Sequence, residues 1–144
     1  ASGPVPEGLE PGSASYRDYL VWRKTRDGSA GAPFWRDYFS ASDIPGAIAY
    51  RDEQATAFRD INPVAPTHIL IVPNRHIESV ATLEEADEPL MGHLFTVARG
   101  LAEKEKIDKT GYRLISNHGA DGGQTVFHLH LHLIGGQRMK HPMG

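Results

Sequence analysis

Cysteine is absent from the sequence. Disulfides and thiolate metal sites are thereby excluded, and the absence accords with a reducing compartment. Long apolar runs are missing too: none approaches the ~18 residues that a membrane-spanning helix requires. The N-terminus has no basic stretch followed by an apolar one, the pattern of a secretory signal. Charge of one sign is also lacking. Fifteen basic residues against 18 acidic ones leave a formal charge of −3, which marks neither a nucleic-acid coat nor a binder of anionic membranes. What these absences leave is one soluble domain of 144 residues, large enough to bury a core. It is expected in the cytoplasm, or also in the nucleus of a eukaryote.

Residues 1–14 are rich in Gly, Pro and Ser and read as a flexible tail. Ser15 is placed to cap a short helix over 16–26, with Tyr16, Tyr19, Leu20 and Arg23 on one face. Asp27-Gly28-Ser29-Ala30-Gly31 then breaks it. Residues 1–33 are therefore expected to form an extension, either a surface appendage or an interaction arm, ahead of a domain over 34–144. Phe34 to Phe39 opens that domain as a helical turn. Pro45-Gly46 makes a bend, and strands follow over 47–51 and 56–61, with Glu53 and Gln54 in the hairpin loop. Asn62-Pro63-Val64-Ala65-Pro66 leads rigidly into a strand over 68–72, whose unbroken apolarity marks a central strand covered on both faces. Asp87 and Pro89 start a long helix with Leu90, Leu94, Val97 and Leu101 at helical spacing. His93 within it and His76 before it read as ordinary polar residues. A strand over 112–116, a loop over 117–123 and a last strand over 128–134 precede the tail at 137–144. The order β-β-β-α-β-β with short hairpins predicts an antiparallel sheet carrying helices, an α+β fold without internal repeats.

The last strand holds the unusual feature: His128-Leu129-His130-Leu131-His132-Leu133-Ile134. Strict alternation is the period of a strand, so the histidines share one face and the leucines the other, with imidazoles ~6–7 Å apart. Three aligned histidines are hard to explain as packing, because the leucines already supply the burial. Three readings are open. A metal site would use two imidazoles of a His-X-His pair, with His68 as a third ligand, although no carboxylate lies in the strand. Covalent catalysis would use a histidine as nucleophile toward phosphorus, since neutral imidazole is abundant near pH 7. It would need donors for phosphoryl oxygens, and Gly122-Gly123-Gln124-Thr125 and Asn117 supply candidates. A binding module would hold an anion without turning it over. Adjacent titratable rings suit proton transfer better than simple anion capture.

His-φ-His-φ-His-φ-φ, with φ apolar, resembles the signature of the histidine triad (HIT) superfamily. Asp121-Gly122-Gly123-Gln124-Thr125-Val126-Phe127-His128 through Gly136 is similar to its Hint branch, the histidine triad nucleotide-binding proteins. Asp60-Ile61-Asn62-Pro63, Ala65-Pro66-Thr67-His68 and the Pro73 to His76 segment are similar to it as well. The likeness covers about 34–144. It implies a five-stranded antiparallel sheet with one long and one short helix, continued edge to edge across a homodimer. It also implies a purine nucleotide substrate, with hydrolysis of the P–N bond in nucleoside phosphoramidates such as AMP–amine conjugates, and of aminoacyl-adenylates. No metal or other cofactor is implied. By the same resemblance His130 is the nucleophile and forms a nucleotidyl-histidine, while His132 contacts the phosphate and leaving-group side. His128 lends its backbone carbonyl to orient the nucleophile, and His68 supports the triad. Asp60 accepts the ribose hydroxyls, and Phe58 and Ile61 line the base cleft. Asn117, Gly123, Gln124 and Thr125 surround the phosphate, Thr125 standing where the family commonly has Ser. Phe34 or Trp35 covers the base, or else both are core aromatics.

Two further functions stay open beside that one: a dinucleoside polyphosphate hydrolase of the same superfamily, and a nucleotide-binding adaptor with vestigial turnover. Gly135-Gly136 after the triad argues for the Hint branch. One departure bears on the leaving group. The branch often carries a C-terminal tryptophan that reaches the partner subunit's site, and here the region reads Met139-Lys140-His141-Pro142-Met143-Gly144.

Overall fold

A computed structural model describes residues 11–12, 14–25, 33–39 and 46–143. Most of the expected tail, the break at Asp27 to Gly31, and Pro45 lie outside the described residues. Within them the order is α1 (Ala14–Thr25), a 3-10 turn (Trp35–Asp37), β1 (Ile48–Arg51), β2 (Ala55–Arg59) and β3 (Thr67–Pro73). Two further 3-10 turns (Val80–Thr82 and Glu85–Asp87) lead to α2 (Glu88–Lys104), β4 (Tyr112–Ile115) and β5 (Leu131–Gly135). The strands form one antiparallel sheet in the order β1-β2-β3-β5-β4, the α+β arrangement expected. β3 sits at its centre with all seven residues buried, which is why its sequence is apolar without alternation.

One face of the sheet is covered by α2. Pro89 stands in the first turn, where its missing N–H costs nothing. Leu90, Leu94, Val97 and Leu101 pack with Ala55, Ala57, Ile69, Ile71, Leu129, Leu131 and Leu133 in a single core. His93 ties the helix to the β1–β2 hairpin through Asp52, at 2.5 Å. Asp52 also takes the N–H groups of Gln54 and Ala55 and so closes the turn. Its bond from the Tyr50 hydroxyl pushes the pKa of that phenol up to about 12.

The opposite face carries the even-numbered residues of β2 and β3. Phe58, Leu70 and Val72 are covered by Phe34, Trp35 and Phe39, and by Tyr19 and Trp22 of α1. The helix expected over 16–26 is thus docked on the domain's own sheet. Trp22 and Phe34 lie 5.3 Å apart, and Trp35 stacks flat on Phe58 at 5.1 Å and 14°. A short echo in the sequence, too brief to count as a repeat, supplies the polar seam. Tyr16-Arg17-Asp18-Tyr19-Leu20 is repeated in type by Trp35-Arg36-Asp37-Tyr38-Phe39. Asp18 of the first copy is fully buried and bonds Arg36 of the second at 3.0 Å, with Arg51 at 3.3 Å.

Because Trp22 is 3 % exposed, truncating it tests whether α1 folds with the rest. Trp22→Ala is expected to lower the global unfolding free energy by about 3 kcal/mol, the usual cost of emptying so large a buried site. Urea unfolding followed by circular dichroism measures this. An unchanged midpoint would mean that α1 detaches on its own.

Candidate active site

The histidine stretch departs from its expected form at its first half. β5 begins at Leu131, so His128 and His130 lie ahead of the strand and do not share one regular strand face with His132. The cause lies in the neighbouring strand. The β3–β5 ladder runs from Thr67↔Gly135 to Ile71↔Leu131. Two residues further on the ladder would use Pro73 opposite Leu129, and Pro73 has no N–H to give. Its carbonyl is met by a side chain instead, His128 Nε2 at 2.9 Å. Leu129 N–H turns to Ile77 O at 2.6 Å. The leucines nevertheless keep their buried face, as the alternation predicts.

Two hydrogen-bonded histidine pairs flank the nucleophile candidate. In the first, the Val64 N–H donates to His68 Nδ1 at 3.2 Å. A backbone amide can only donate, so the neutral His68 ring carries its proton on Nε2. That proton points to His132 Nδ1, 2.9 Å away, with Asp60 Oδ2 at 3.5 Å on the other side. His132 therefore holds its own proton on Nε2. In the second pair, His128 gives its Nε2–H to Pro73 O and accepts at Nδ1 from His76 Nδ1, at 3.0 Å. Between the pairs stands His130. Its Nδ1–H donates to the His128 carbonyl at 2.7 Å, which leaves the Nε2 lone pair unprotonated. Phe39 meets the His130 ring edge-on at 5.3 Å, and His132 lies 4.9 Å from it.

Burial favours the neutral form of the four rings in the two pairs. The pKa of His128, fully enclosed, is pushed down to about 3, with the adjacent His76 and His130 rings adding to the effect. Burial likewise lowers His132 to about 4, helped by His130 and His68. His68 and His76 are lowered for the same reason.

Asp60, His68 and His132 bring three ligand atoms within 4.8 Å of one another. Their donor pattern suits hydrogen bonds better than an ion. A metal on His68 Nε2 would move that ring's proton to Nδ1, against the Val64 N–H, whereas a ligating histidine normally donates from its far nitrogen.

The remaining expected residues are placed as follows. Asp60 faces His68, and its Oδ1 takes the Asn62 N–H at 2.8 Å. Ile61 is exposed, Asn117 is half-buried in the loop after β4, and Thr125 is exposed. Phe58, Phe34 and Trp35 are buried in the aromatic layer. Gln124 is buried as well, and its amide is used within the loop. Oε1 takes the Gly119 N–H, and Nε2 donates to the carbonyls of Glu78 and Val126. Its part is therefore to shape the loop rather than to meet a ligand with that side chain. The tightness of this turn explains its glycines. A Cβ on Gly122 would stand 2.3 Å from His118 O, and Gly123 has φ +80°. Sequence reasoning passed over His76, although it lies in a segment whose resemblance was noted.

These neutral rings make stability depend on pH with a defined sign. Below ~6.5 an unfolded chain protonates His128 and His132, while the folded chain does so only near 3 and 4. Stability is therefore lost as pH falls from 7 to 5. His128 alone contributes a loss of about 2 kcal/mol over that range, and Asp18, held above the carboxylate range by burial, pulls the other way. Urea midpoints at pH 7 and pH 5 measure the net fall. Equal midpoints in an Asp18→Asn variant, which lacks that opposing group, would contradict the burial of neutral rings.

Comparison with known proteins places this geometry. The family described as HIT domain matches residues 41–139. The chain is 50% identical over 95 residues to a purine nucleoside phosphoramidase of Escherichia coli (strain K12), covering 66% of this chain and 80% of that protein. An uncharacterized HIT-like protein of Buchnera aphidicola is 48% identical over 96 residues, covering 67% and 86%. Among solved structures, a HIT family hydrolase from Legionella pneumophila aligns with a TM-score of 0.67 at 42% identity, over 72% of this chain and 92% of that one. One from Clostridium thermocellum aligns with a TM-score of 0.67 at 43% identity, over 71% and 89%. With a family match over most of its length and relatives this similar in sequence and fold, the chain belongs to the HIT domain family.

Proposed function

We propose that the chain is a purine nucleoside phosphoramidase, which cleaves P–N bonds of AMP–amine conjugates and related adenylates through a nucleotidyl-histidine on His130. The observation that carries this reading is the 2.7 Å bond from His130 Nδ1 to the His128 carbonyl. It fixes the ring so that Nε2 is both unprotonated and aimed, which a nucleophile requires. The bond also strengthens as the reaction proceeds. Attack on phosphorus leaves His130 an imidazolium, whose Nδ1–H then makes a charge-assisted bond to the same carbonyl. The name and 50% identity of the Escherichia coli relative support the substrate class.

The steps balance as follows. His130 Nε2 bonds to phosphorus while the P–N bond breaks. A water bonded to the departing nitrogen protonates it, while the neutral His132 ring donates its Nε2–H to a phosphoryl oxygen. A second water then attacks phosphorus, gives its proton to the hydroxide left by the first, and frees the nucleoside monophosphate and His130. Asp60 would accept the ribose hydroxyls beside His68, and the exposed Ile61 would border the base with Phe58 buried behind it. Asn117, Gly123 and Thr125 would lie along the phosphate. Phe34 and Trp35 would back the base cleft through Phe58.

His130→Ala is expected to lower turnover of an adenosine phosphoramidate carrying a fluorescent amine by about 10³-fold or more, with AMP still bound. Activity of the unaltered protein should persist in EDTA. Turnover lost in EDTA, or retained in the variant, would refute metal-free histidine catalysis. Binding of AMP without turnover would favour the adaptor.

We also propose a homodimer that continues the sheet past β4, one of its two edge strands among the described residues. Light scattering is expected to give twice the 15.8 kDa of one chain. A monomer at micromolar concentration would count against it.

A further inference from the structure

We propose that His76 is a positioning residue for the His130 nucleophile and that it acts through the side chain and carbonyl of His128; the proposal rests on the nucleotidyl-histidine reading above. Neither the resemblance nor the relatives' names assign His76 a part.

The argument begins with the stretch that holds the orienting carbonyl. His128 lies outside β5, so no strand ladder fixes the peptide that follows it. Its N–H, that of Leu129, is tied to Ile77 O at 2.6 Å, and its other end is held by the His128 side chain, gripped at both nitrogens. Nε2–H donates to Pro73 O at 2.9 Å, and Nδ1 faces His76 Nδ1 at 3.0 Å. The first bond settles the second: a neutral ring with its proton on Nε2 can only accept at Nδ1, so His76 must donate there.

That direction matters for charge. His76 can gain a proton at its other nitrogen without disturbing the bond, since Nδ1–H is a donor in either state. His128 cannot, because a second proton would set two donors face to face. The His76 bond therefore favours the uncharged His128 ring. An uncharged ring keeps a like charge away from the imidazolium that forms on His130.

His76 is itself held. Tyr38 lies flat on it, with ring centres 4.6 Å apart and planes within 3°. The tyrosine hydroxyl reaches Nε2 across the stack at 3.4 Å, the long end of hydrogen bonding. Tyr38 also leans on His128, at 5.4 Å. Glu78 and Asp37 are the charged groups whose fields reach His76, both favouring its cation against burial. Tyr38 follows the 3-10 turn that carries Trp35 and Arg36, so the N-terminal aromatic layer and the nucleophile are joined through His76.

The test compares three versions of the full chain: unaltered, His76→Asn and His76→Leu. The side-chain amide introduced by His76→Asn can place an N–H close to where Nδ1 stood; leucine cannot. With the fluorescent phosphoramidate, His76→Leu is expected to lower kcat by about 10- to 100-fold, the effect of a misaimed catalytic group. KM should stay within about threefold, and His76→Asn should recover most of kcat. A second readout needs no turnover. In nitrogen-15 imidazole spectra, the His130 Nδ1 proton should be protected from solvent exchange in the unaltered chain and in His76→Asn. In His76→Leu it should exchange about tenfold faster or more, because the carbonyl that holds it keeps only the Leu129 anchor of its peptide. If the unaltered chain fails to cleave the substrate, the proposed function falls, and the spectra still decide on His76. Equal protection and equal kcat in His76→Leu would overturn the positioning role, as would an equal loss in both variants.

Discussion

A proline at the end of a central strand sets the geometry of this site. Pro73 is fully buried and pairs with Ala55 on one side. On the other side it cannot donate, yet its carbonyl still needs a partner in a water-free place. The partner is an imidazole rather than a peptide group. Once His128 turns to meet that carbonyl, the chain ahead of β5 leaves the strand path. Its peptide oxygen is then directed at the next histidine of the triad. A β-branched residue in place of Pro73 could have carried the ladder two residues further and aligned the three rings as a simple row. The functional arrangement thus follows from a backbone donor that is missing.

The sheet separates two kinds of work by face. Alanines, isoleucines and leucines on one side pack under α2, and burial of this apolar surface supplies the bulk of the folding free energy. The other side combines aromatic packing with ionisable rings. Several polar groups enclosed there are tolerable because they are given partners: Thr56 with Asn74, Asp18 with two guanidinium groups, His68 with a backbone amide. Residues of α2 can therefore be changed for stability with little consequence for the histidines, whereas the turn around Trp35 is tied to both.

Much of this was legible in the sequence. Apolar spacing located α2, the unbroken run located the central strand, and the two-residue period marked the buried leucines, though not the paths of His128 and His130. Those signals are local, and local periodicity is what builds helices and strands. The start of β5 was not legible, because it depends on a proline more than fifty residues earlier in the chain. His76 escaped for a similar reason: a single histidine after a strand has no pattern of its own, and only tertiary contact with His128 gives it one. The aromatic layer was half legible. Phe34, Trp35 and Phe39 were recognisable as a cluster, but that α1 would close over them depends on Asp18 meeting Arg36, a pairing that spacing does not announce.

The bond from Val64 to His68 has a consequence of its own. Chains of histidines usually have no fixed polarity, since every imidazole can hand its proton to either neighbour and the whole line can reverse. Here one end is fastened to a peptide group, which does not ionise at any pH a protein survives. The proton order from His68 to His132 is therefore written in main chain rather than in solvent conditions. An added proton would have to break one of these bonds, so the line keeps its direction for as long as it stays neutral.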